Sequence, residues 1–546
     1  MGLPVEKITI GSVAGSLLLA WGTSNWSRLF VWGCFVGLWL AATAYWCIDT
    51  VFIYPFLTSP LRNLPQPNDN HWLFGQTKRV LTEPLGIPMR QWVKELPNDG
   101  LIRYLGAFNQ ERVVVCSPKT LAEVLVTNSY AFAKPYSLRW SIGRIVGVGL
   151  LLADGDVHRA QRRMLMPAFS FRHIKDLYPL FWSKGCEVTK LMTDSFNKEG
   201  ETEIEISAFA SRVTLDVIGI AGMGRDFGAV RDPNNDLVKT YEKLLMPSRT
   251  DMVSAFLGRF IPFKWLAQLP LERNRYIDQA SNELRSLCKE LIHEKRAKLN
   301  ADKEQTDVDI LSVALKSTDP SQDFQLEDQL MTFLAAGHET TSSSLIWAVY
   351  LLSRFPEVQQ KLREEVCNNL PSVDSEVGIV AQDIDSLPYL TATCNEVLRY
   401  YAALPITSRH AAHDTTVQGQ VIPKGTRLVI VPWAVNFDPK LWGPDVDEFK
   451  PDRWLTDTAD GEGQKTGNGG ASSNFAFLTF SHGPRSCIGK DFAKSEFACL
   501  LAAWVGRFEF SLADPSLMDE KLMEIRRGIT VRPKEMRVKV RVLDDH

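Results

Sequence analysis

The sequence predicts a mainly α-helical fold with a small β portion, carried behind an N-terminal transmembrane anchor. Three observations lead there. From about residue 75 to 400, apolar residues recur mostly at helical spacing, as in LDVIGIAGMG and ERNRYIDQASNELRSLCKELIHEKRAKL, whose opposite face is charged. Strand-like runs are few and short, at Arg112 to Cys116, Thr416 to Gln418 and Arg427 to Val431, with the turn residues of IPKGT between the last two. The twenty residues from Leu29 to Ile48 carry no charge.

At about 1.5 Å per residue, that uncharged run spans a hydrocarbon core of roughly 30 Å, and the sequence places its end at Asp49. Ile8 to Ser24 reads equally as a second short span or as an interfacial segment. The stronger run is long, ends in aromatic residues and lacks a small-residue cleavage site, so an uncleaved anchor is expected rather than a signal peptide. Tyr45, Trp46 and Tyr54 suit the membrane interface, and Arg62, Lys78 and Arg79 follow on the carboxyl side, which puts the large domain in the cytosol. Asn25 opens an N-x-S sequon too close to the membrane segment to expect glycosylation.

Next comes LRNLPQPND, where Pro65 and Pro67 favour an extended, stiff connector that reads as a hinge. The expected organisation is therefore a membrane anchor over 1–58, a hinge over 59–74 and one large domain over 75–546. The Gly-rich segment Thr456 to Ser473 is expected as a surface loop. FLGRFIPFKWL, Phe256 to Leu266, reads equally as an entrance lid dipping into the membrane or as interior packing.

Composition bounds the function. With 546 residues, 45% hydrophobic and 23% charged, the chain can bury a large core and is not of the disordered class. A formal net charge of −3 argues against a protein held to nucleic acid by phosphate neutralisation. Nine scattered cysteines without a C-x-x-C pair form neither a disulfide framework nor a zinc knuckle, and suit a reducing compartment.

The strongest chemical signal is FSHGPRSCIG, Phe480 to Gly489. A metal-binding thiolate needs shelter, donors aimed at its sulfur and room for a flat ligand. Cys487 supplies the sulfur, Gly483 and Gly489 allow close backbone approach, Arg485 offers a fork for a carboxylate, and Phe480 can shield the thiolate. The spacing F-x-x-G-x-R-x-C-x-G, followed by the helical DFAKSEFACLLAAW, resembles the haem-binding signature of the cytochromes P-450, and the likeness runs over about residues 60 to 540.

That resemblance implies the P-450 fold, haem b (iron protoporphyrin IX) bound through Cys487, and further roles. In AAGHETTSS, Ala336 and Gly337 match the family's widening of a helix beside the haem, and Glu339 with Thr340 match its acid–alcohol pair that guides protons to dioxygen. Read from the residues alone, the segment equally fits Thr340 bonding back to helix carbonyls while Glu339 faces water. Glu396 and Arg399 match the E-x-x-R motif; with Arg453 of FKPDRW the resemblance implies a buried structural network, where spacing alone reads as a surface pair. His158 and Arg162 of HRAQRR and Arg409 of LPITSRHA are the implied propionate ligands, with His158 standing where many members carry Trp. Pocket walls are implied near Leu138 to Val148, Phe333 to Thr341 and Ala403 to Thr407.

The function implied is a monooxygenase of the endoplasmic reticulum membrane that hydroxylates or epoxidises a lipophilic small molecule. It would use O2 and electrons from an NADPH-dependent cytochrome reductase, with cytochrome b5 as a second candidate donor. The whole-chain pattern looks most like fungal members acting on terpenoid or polyketide secondary metabolites. The alternatives are a fatty-acid hydroxylase, or an isomerase or dehydratase of the same fold working without a reductase.

Overall fold

The computed structural model describes residues 5–196, 201–246, 248–258, 263–301, 309–316, 323–456, 464–465 and 467–543. It begins with two helices, α1 (Val5–Gly22) and α2 (Arg28–Ile48), folded against each other. Ser27 caps α2 by accepting a hydrogen bond from the Phe30 N–H at 3.3 Å. Between the helices, Trp39 Nε1 donates to Thr9 Oγ1 at 3.3 Å, and Gly15 faces Leu38 so closely that a Cβ would lie 2.8 Å from it. The stretch Arg28–Thr58 is long and apolar enough to cross a membrane, and none of its most apolar window is buried.

Asp49 does not end this helix, contrary to the sequence expectation. The chain runs on through Asp49–Thr58 in wider π turns that accommodate Pro55, which has no N–H to donate. A charge ends an apolar run, but it does not interrupt backbone hydrogen bonding.

The 59–74 connector, expected as a hinge, lies packed on the globule. Leu61 is fully buried, the Pro65 carbonyl accepts from the Arg103 N–H at 2.8 Å, and the Gln66 side chain accepts from Arg103 Nη1 at 2.7 Å. The cause is the buried Arg103, which must fill its donors: Nη2 reaches the Pro55 carbonyl at 2.6 Å and Nε reaches Glu111 at 2.8 Å. Glu111 in turn accepts from Ser59 Oγ at 2.8 Å, and Asn109 Nδ2 donates to the Val51 carbonyl at 3.0 Å.

Arg103 lies on β1 (Leu101–Leu105) of a five-stranded sheet completed by β2 (Glu111–Val115), β3 (Phe132–Ala133), β4 (Thr407–Ala411) and β5 (Arg427–Ile430). The order is β1-β2-β5-β4-β3, with β2 and β5 parallel and the other pairs antiparallel. The pairing joins early and late parts of the chain. A three-stranded sheet combines Phe508–Leu512, Arg537–Val542 and Glu201–Glu205.

Besides three two-stranded sheets, most of the rest is helix, including α3 (Gly155–Leu165), α4 (Tyr178–Phe196), α5 (Ile206–Met223), α6 (Glu272–Ala301), α7 (Asp323–Arg354), α8 (Pro388–Tyr400) and α9 (Lys490–Arg507). In α6 the buried residues Ile277, Ala280, Ser281, Leu284, Cys288, Leu291, Ile292 and Lys295 follow the helical repeat read in the sequence. By length and composition α5 also suits a membrane span, but 83% of its apolar window is buried, because it packs along α7 in the interior. Gly337 of α7 faces Ile218 of α5, where a Cβ would lie 2.7 Å from Cγ1 of that side chain. The FLGRFIPFKWL lid question turns on residues 259–262, which lie outside the described residues, as do 457–463 and 466 of the Gly-rich loop.

Candidate active site

The Phe480–Gly489 loop turns tightly into the start of α9. The Cys487 N–H donates to the Phe480 carbonyl at 2.9 Å and the Ser486 N–H to the Gly483 carbonyl at 3.0 Å, which closes the loop. Gly483 has φ +74°, and a Cβ there would lie 2.2 Å from the Leu125 carbonyl oxygen, so no other residue fits. Gly489 precedes α9 and directs its backbone N–H at the Cys487 sulfur. Burial pushes the Cys487 thiol up, while that N–H and the Arg162 guanidinium pull it down. Protein surrounds Cys487 closely, yet it keeps an accessible face, because that face opens on an internal cavity.

The cavity is lined on one side by Arg485 to Gly489, Phe492 and Ala493, and on the other by Phe333, Ala336, Gly337, Thr340 and Thr341 of α7. Leu150, Leu151, Ala153, Phe169 and Ile218 extend its apolar wall. Of the expected walls, only the α7 segment lines this cavity. The chain after 138–148 is drawn to α7, where the Val148 and Leu150 N–H groups donate to Asp328 and Gln329, so Leu150 and Leu151 take the wall instead. The 403–407 segment is held to a later strand, the Ala403 carbonyl accepting from the Val531 N–H at 3.0 Å. Phe480 packs behind the loop against Phe477.

Cations crowd one end of the cavity. Arg485 pairs through Nη2 with Asp154 at 2.7 Å and donates through Nη1 to the Phe132 carbonyl at 3.0 Å, but its buried Nε has no partner. Arg162 grips the loop itself, Nη1 to the Ser486 carbonyl at 2.7 Å and Nη2 to Ser486 Oγ at 3.3 Å. His158 is buried with Nδ1 3.1 Å from the Tyr130 hydroxyl. Arg409, buried on β4, reaches only Ser408 O and Thr407 Oγ1. Lys134 lines the cavity beside them.

Burial, and then the neighbouring Arg409 and Arg485, push the Lys134 amine well below its usual value. Burial, then Arg485, bring Arg409 down to about 10, and burial, then Arg485 and Arg162, bring His158 down to about 4. His158 is therefore neutral near pH 7 and acts as a hydrogen-bonding ring. Among the described residues, Lys134, Arg409 and Arg485 share one nearby carboxylate, Asp154, and Arg162 faces Cys487 and Tyr130. Buried cations in such excess require anions from outside the chain. Haem b brings two propionates and an iron that takes a thiolate, so the residues present fit it.

On α7, Thr340 lines the cavity and its Oγ1 donates to the Ala336 carbonyl at 2.8 Å. Glu339 points elsewhere. Its buried carboxylate accepts from Thr530 Oγ1 at 2.8 Å and lies 3.9 Å from His338 Nε2. Burial pushes this carboxyl up, but Arg532, His338 and the Thr530 hydroxyl together hold it below its usual value. Arg532 continues outward to Glu242 at 3.5 Å. The structure thus does not bring the acid and the alcohol side by side, since successive residues on a helix point about 100° apart. Nor is the helix widened at Ala336 and Gly337: α7 runs unbroken, and Gly337 answers to the close approach of Ile218.

Beneath the loop, Glu396 of α8 is fully buried. Its Oε1 accepts from Arg399 Nη2 at 2.8 Å, Arg453 Nε at 2.9 Å and the Lys450 N–H at 2.9 Å. Its Oε2 accepts from Arg399 Nε at 2.8 Å and Trp454 Nε1 at 2.9 Å. Arg399 completes its donors on the Asn436, Val446 and Glu448 carbonyls, each at 2.9 Å. Sequence reading missed Tyr130, Lys134, Asp154, Ser486, Thr530 and Arg532. Asp154 alone had a local signal, standing at the position that precedes α3.

The profile of the Cytochrome P-450 family matches residues 65–540. Cytochrome P-450 monooxygenase sphH of Aspergillus fumigatus is 47% identical over 89% of this chain and 89% of its own length. Cytochrome P-450 monooxygenase ALT8 of Alternaria alternata is 38% identical over 95% of each chain, and monooxygenase FUM15 of Gibberella moniliformis 40% identical over 88% of each. The matched stretch takes in the cysteine loop, α7, the cation cluster and the Glu396 network alike, and this chain belongs to the cytochrome P-450 family of haem-thiolate monooxygenases.

Proposed function

We propose that the protein is a membrane-anchored monooxygenase that hydroxylates or epoxidises a lipophilic small molecule, with Cys487 as the axial ligand of haem b. The observation that carries this is the accessible face of Cys487, opening on an apolar cavity with a backbone N–H on its sulfur and a crowd of cations at one end. Bound there, haem supplies reductive activation of dioxygen and transfer of one oxygen atom to substrate, the other leaving as water.

The chain's own residues do the rest. Gly489 and Arg162 favour the thiolate, and Arg485, Arg409, Arg162, Lys134 and His158 hold the propionates. Ala336 and Gly337 leave the facing wall low, and the apolar lining keeps water away and selects an apolar substrate. Thr340 presents its hydroxyl at the wall and passes protons inward. Glu339 supplies them after its side chain turns away from Thr530, and Arg532 with Glu242 marks the route from the surface.

Proton delivery by a positioned group contributes about 10²–10⁴-fold. Thr340→Ala should therefore divert most NADPH consumption into hydrogen peroxide and lower product formation by tenfold or more, as measured by peroxide and product per NADPH. Unchanged coupling would remove Thr340 from the relay.

Residues 1–58 act as the anchor in the endoplasmic reticulum membrane, and residues 75–546 form the catalytic domain on its cytosolic side, joined by 59–74. The uncharged surface of α2 supports this reading. Electrons come from an NADPH-dependent cytochrome reductase, with cytochrome b5 as a second donor. The fungal relatives support a place in secondary-metabolite biosynthesis, and the class proposed for the substrate is a terpenoid or polyketide.

The test is the absorption spectrum of the dithionite-reduced protein under carbon monoxide, followed by turnover of lipophilic candidates with reductase and NADPH. A strongly red-shifted Soret band with NADPH-dependent product is expected. An unshifted band overturns the haem-thiolate assignment, and product formed without NADPH overturns the monooxygenase reading in favour of peroxide rearrangement.

A further inference from the structure

Arg409 lies on the face of the sheet that meets Arg485 and Asp154, and its neighbour on β4, His410, therefore looks to the opposite face. His410 pairs in register with Arg427 of β5, Arg427 with Arg112 of β2, and Arg112 with Tyr104 of β1. Cross-strand partners share a face, so two arginines and a histidine stand abreast on three adjacent strands, flanked by a tyrosine. Like charges placed directly opposite one another oppose folding unless something answers them.

Among the described residues no carboxylate does so, and the Tyr104 ring, its centroid 5.8 Å from the Arg112 guanidinium, answers that charge only in part. Arg427 has one side-chain bond, Nη2 to Ser408 Oγ at 3.1 Å, and the Nε atoms of both Arg427 and Arg112 are buried without a partner. The nearest acidic residue in sequence, Glu111, is taken by Arg103 and Ser59. The groups facing Arg427 are Arg112 and Tyr104, and those facing His410 are Arg427 and Arg112. Burial, and then this company, bring Arg427 down to about 10 and His410 down to about 4. His410 is thus a neutral ring with an N–H to give. The Arg112 guanidinium packs on the Gly106 backbone, where a Cβ would come within 3.3 Å of Nε, so that side of it is covered.

The place of this row narrows what fills it. Its sheet is tied to the end of the anchor: Arg103, from the opposite face, holds the Pro55 carbonyl, Asn109 between β1 and β2 holds the Val51 carbonyl, and Gln420 Nε2 between β4 and β5 donates to the Pro60 carbonyl at 2.9 Å. Nearby, Phe52 and Trp72 stack in the open with ring centroids 6.2 Å apart, and Phe74 is exposed beside them. Exposed aromatic rings at the end of an apolar helix belong at the headgroup level. Guanidinium forks match phosphate oxygens in pairs.

We infer that Arg112, Arg427 and His410 form a binding site for a phosphate anion, presented by an anionic phospholipid of the membrane that holds α2. The lipid as source rests on the anchor reading above, whereas the anion site stands on the sheet geometry alone. Each guanidinium gives a charge-assisted bond to the phosphate, and the ligand replaces the repulsion between them with a shared counter-charge.

The test uses the full-length protein, delipidated in neutral detergent, with native mass spectrometry and thermal melting as readouts. Phosphatidic acid should bind one to one at least tenfold more tightly than phosphatidylcholine and raise the melting temperature. R112Q/R427Q should lose that preference tenfold or more, and Arg112→Gln alone should melt no lower than the parent in lipid-free detergent. Haem content and the carbon monoxide spectrum report folding separately, and partitioning into phosphatidylcholine vesicles reports the anchor separately. If the double variant fails to hold haem, the partly exposed Arg112→Gln carries the comparison. Millimolar inorganic phosphate that displaces phosphatidic acid would uphold the anion site and overturn the lipid as its source. Equal binding of phosphatidic acid by parent and variant overturns the site.

Discussion

Cys487→Ser should keep its fold and lose both the red-shifted Soret band of the reduced carbon monoxide form and all monooxygenase turnover. Serine preserves the loop, because the closing bonds run through the backbone, from the Cys487 N–H to Phe480 and from the Ser486 N–H to Gly483. What it removes is the only group on that face of the cavity able to give a soft anionic donor, since an alcohol stays protonated where a thiol bound to a metal does not. Haem content should fall only in part. Lys134, Arg162, Arg409 and Arg485 are untouched, and in the proposed site they hold the propionates and not the iron. Retained haem with an unshifted band would separate the two kinds of holding. A red-shifted band surviving in Cys487→Ser would mean that the thiolate comes from elsewhere.

Glu396→Ala should be the most destabilising single change in the catalytic domain. The carboxylate accepts five hydrogen bonds, from Arg399 twice, Arg453, the Lys450 N–H and Trp454, and Arg399 and Trp454 are buried with it. Removing one member of such a network leaves the others charged and dry, at a cost of about 3 to 5 kcal/mol. Whole domains are stable by only about 5 to 15 kcal/mol, so the variant should express poorly, melt at a markedly lower temperature and fail to retain haem. Glu396→Gln keeps the shape and some acceptors, and should fall between the two. Near-parental melting of Glu396→Ala would show that the segment from Asn436 to Trp454 is held by other contacts.

The parts of this site that were legible in the sequence are the parts built from local spacing. Cys487, its two glycines and Arg485 lie within one turn of chain, and the helical repeat of Glu272–Ala301 follows directly from its apolar positions. What the sequence hid is what tertiary packing decides. Asp154 and Lys134 become part of the cation cluster only because β3 and the start of α3 meet the cysteine loop. Glu339 and Thr340 are neighbours in sequence, and helix geometry sends one to the cavity and the other to Thr530. Hydropathy reads where lipid-compatible side chains stop, so it placed a boundary at Asp49, whereas hydrogen bonding carries the helix on to Thr58. Proline likewise marks where a helix stops without saying whether the extended chain swings free, and here it lies bound along β1.

On the proposed membrane-anchor reading, that bound connector makes residues 1–58 a lever and not a tether. The helix passes from α2 into its π turns without a break, and Arg103, Asn109 and Ser59 clamp its far end to the sheet that also bears Arg409. With α2 as the span, the angle it takes in the bilayer is transmitted to the whole catalytic body. A thinner or thicker membrane, by tilting one helix, would raise or lower the mouth of the cavity against the lipid and change which depth of the bilayer feeds it.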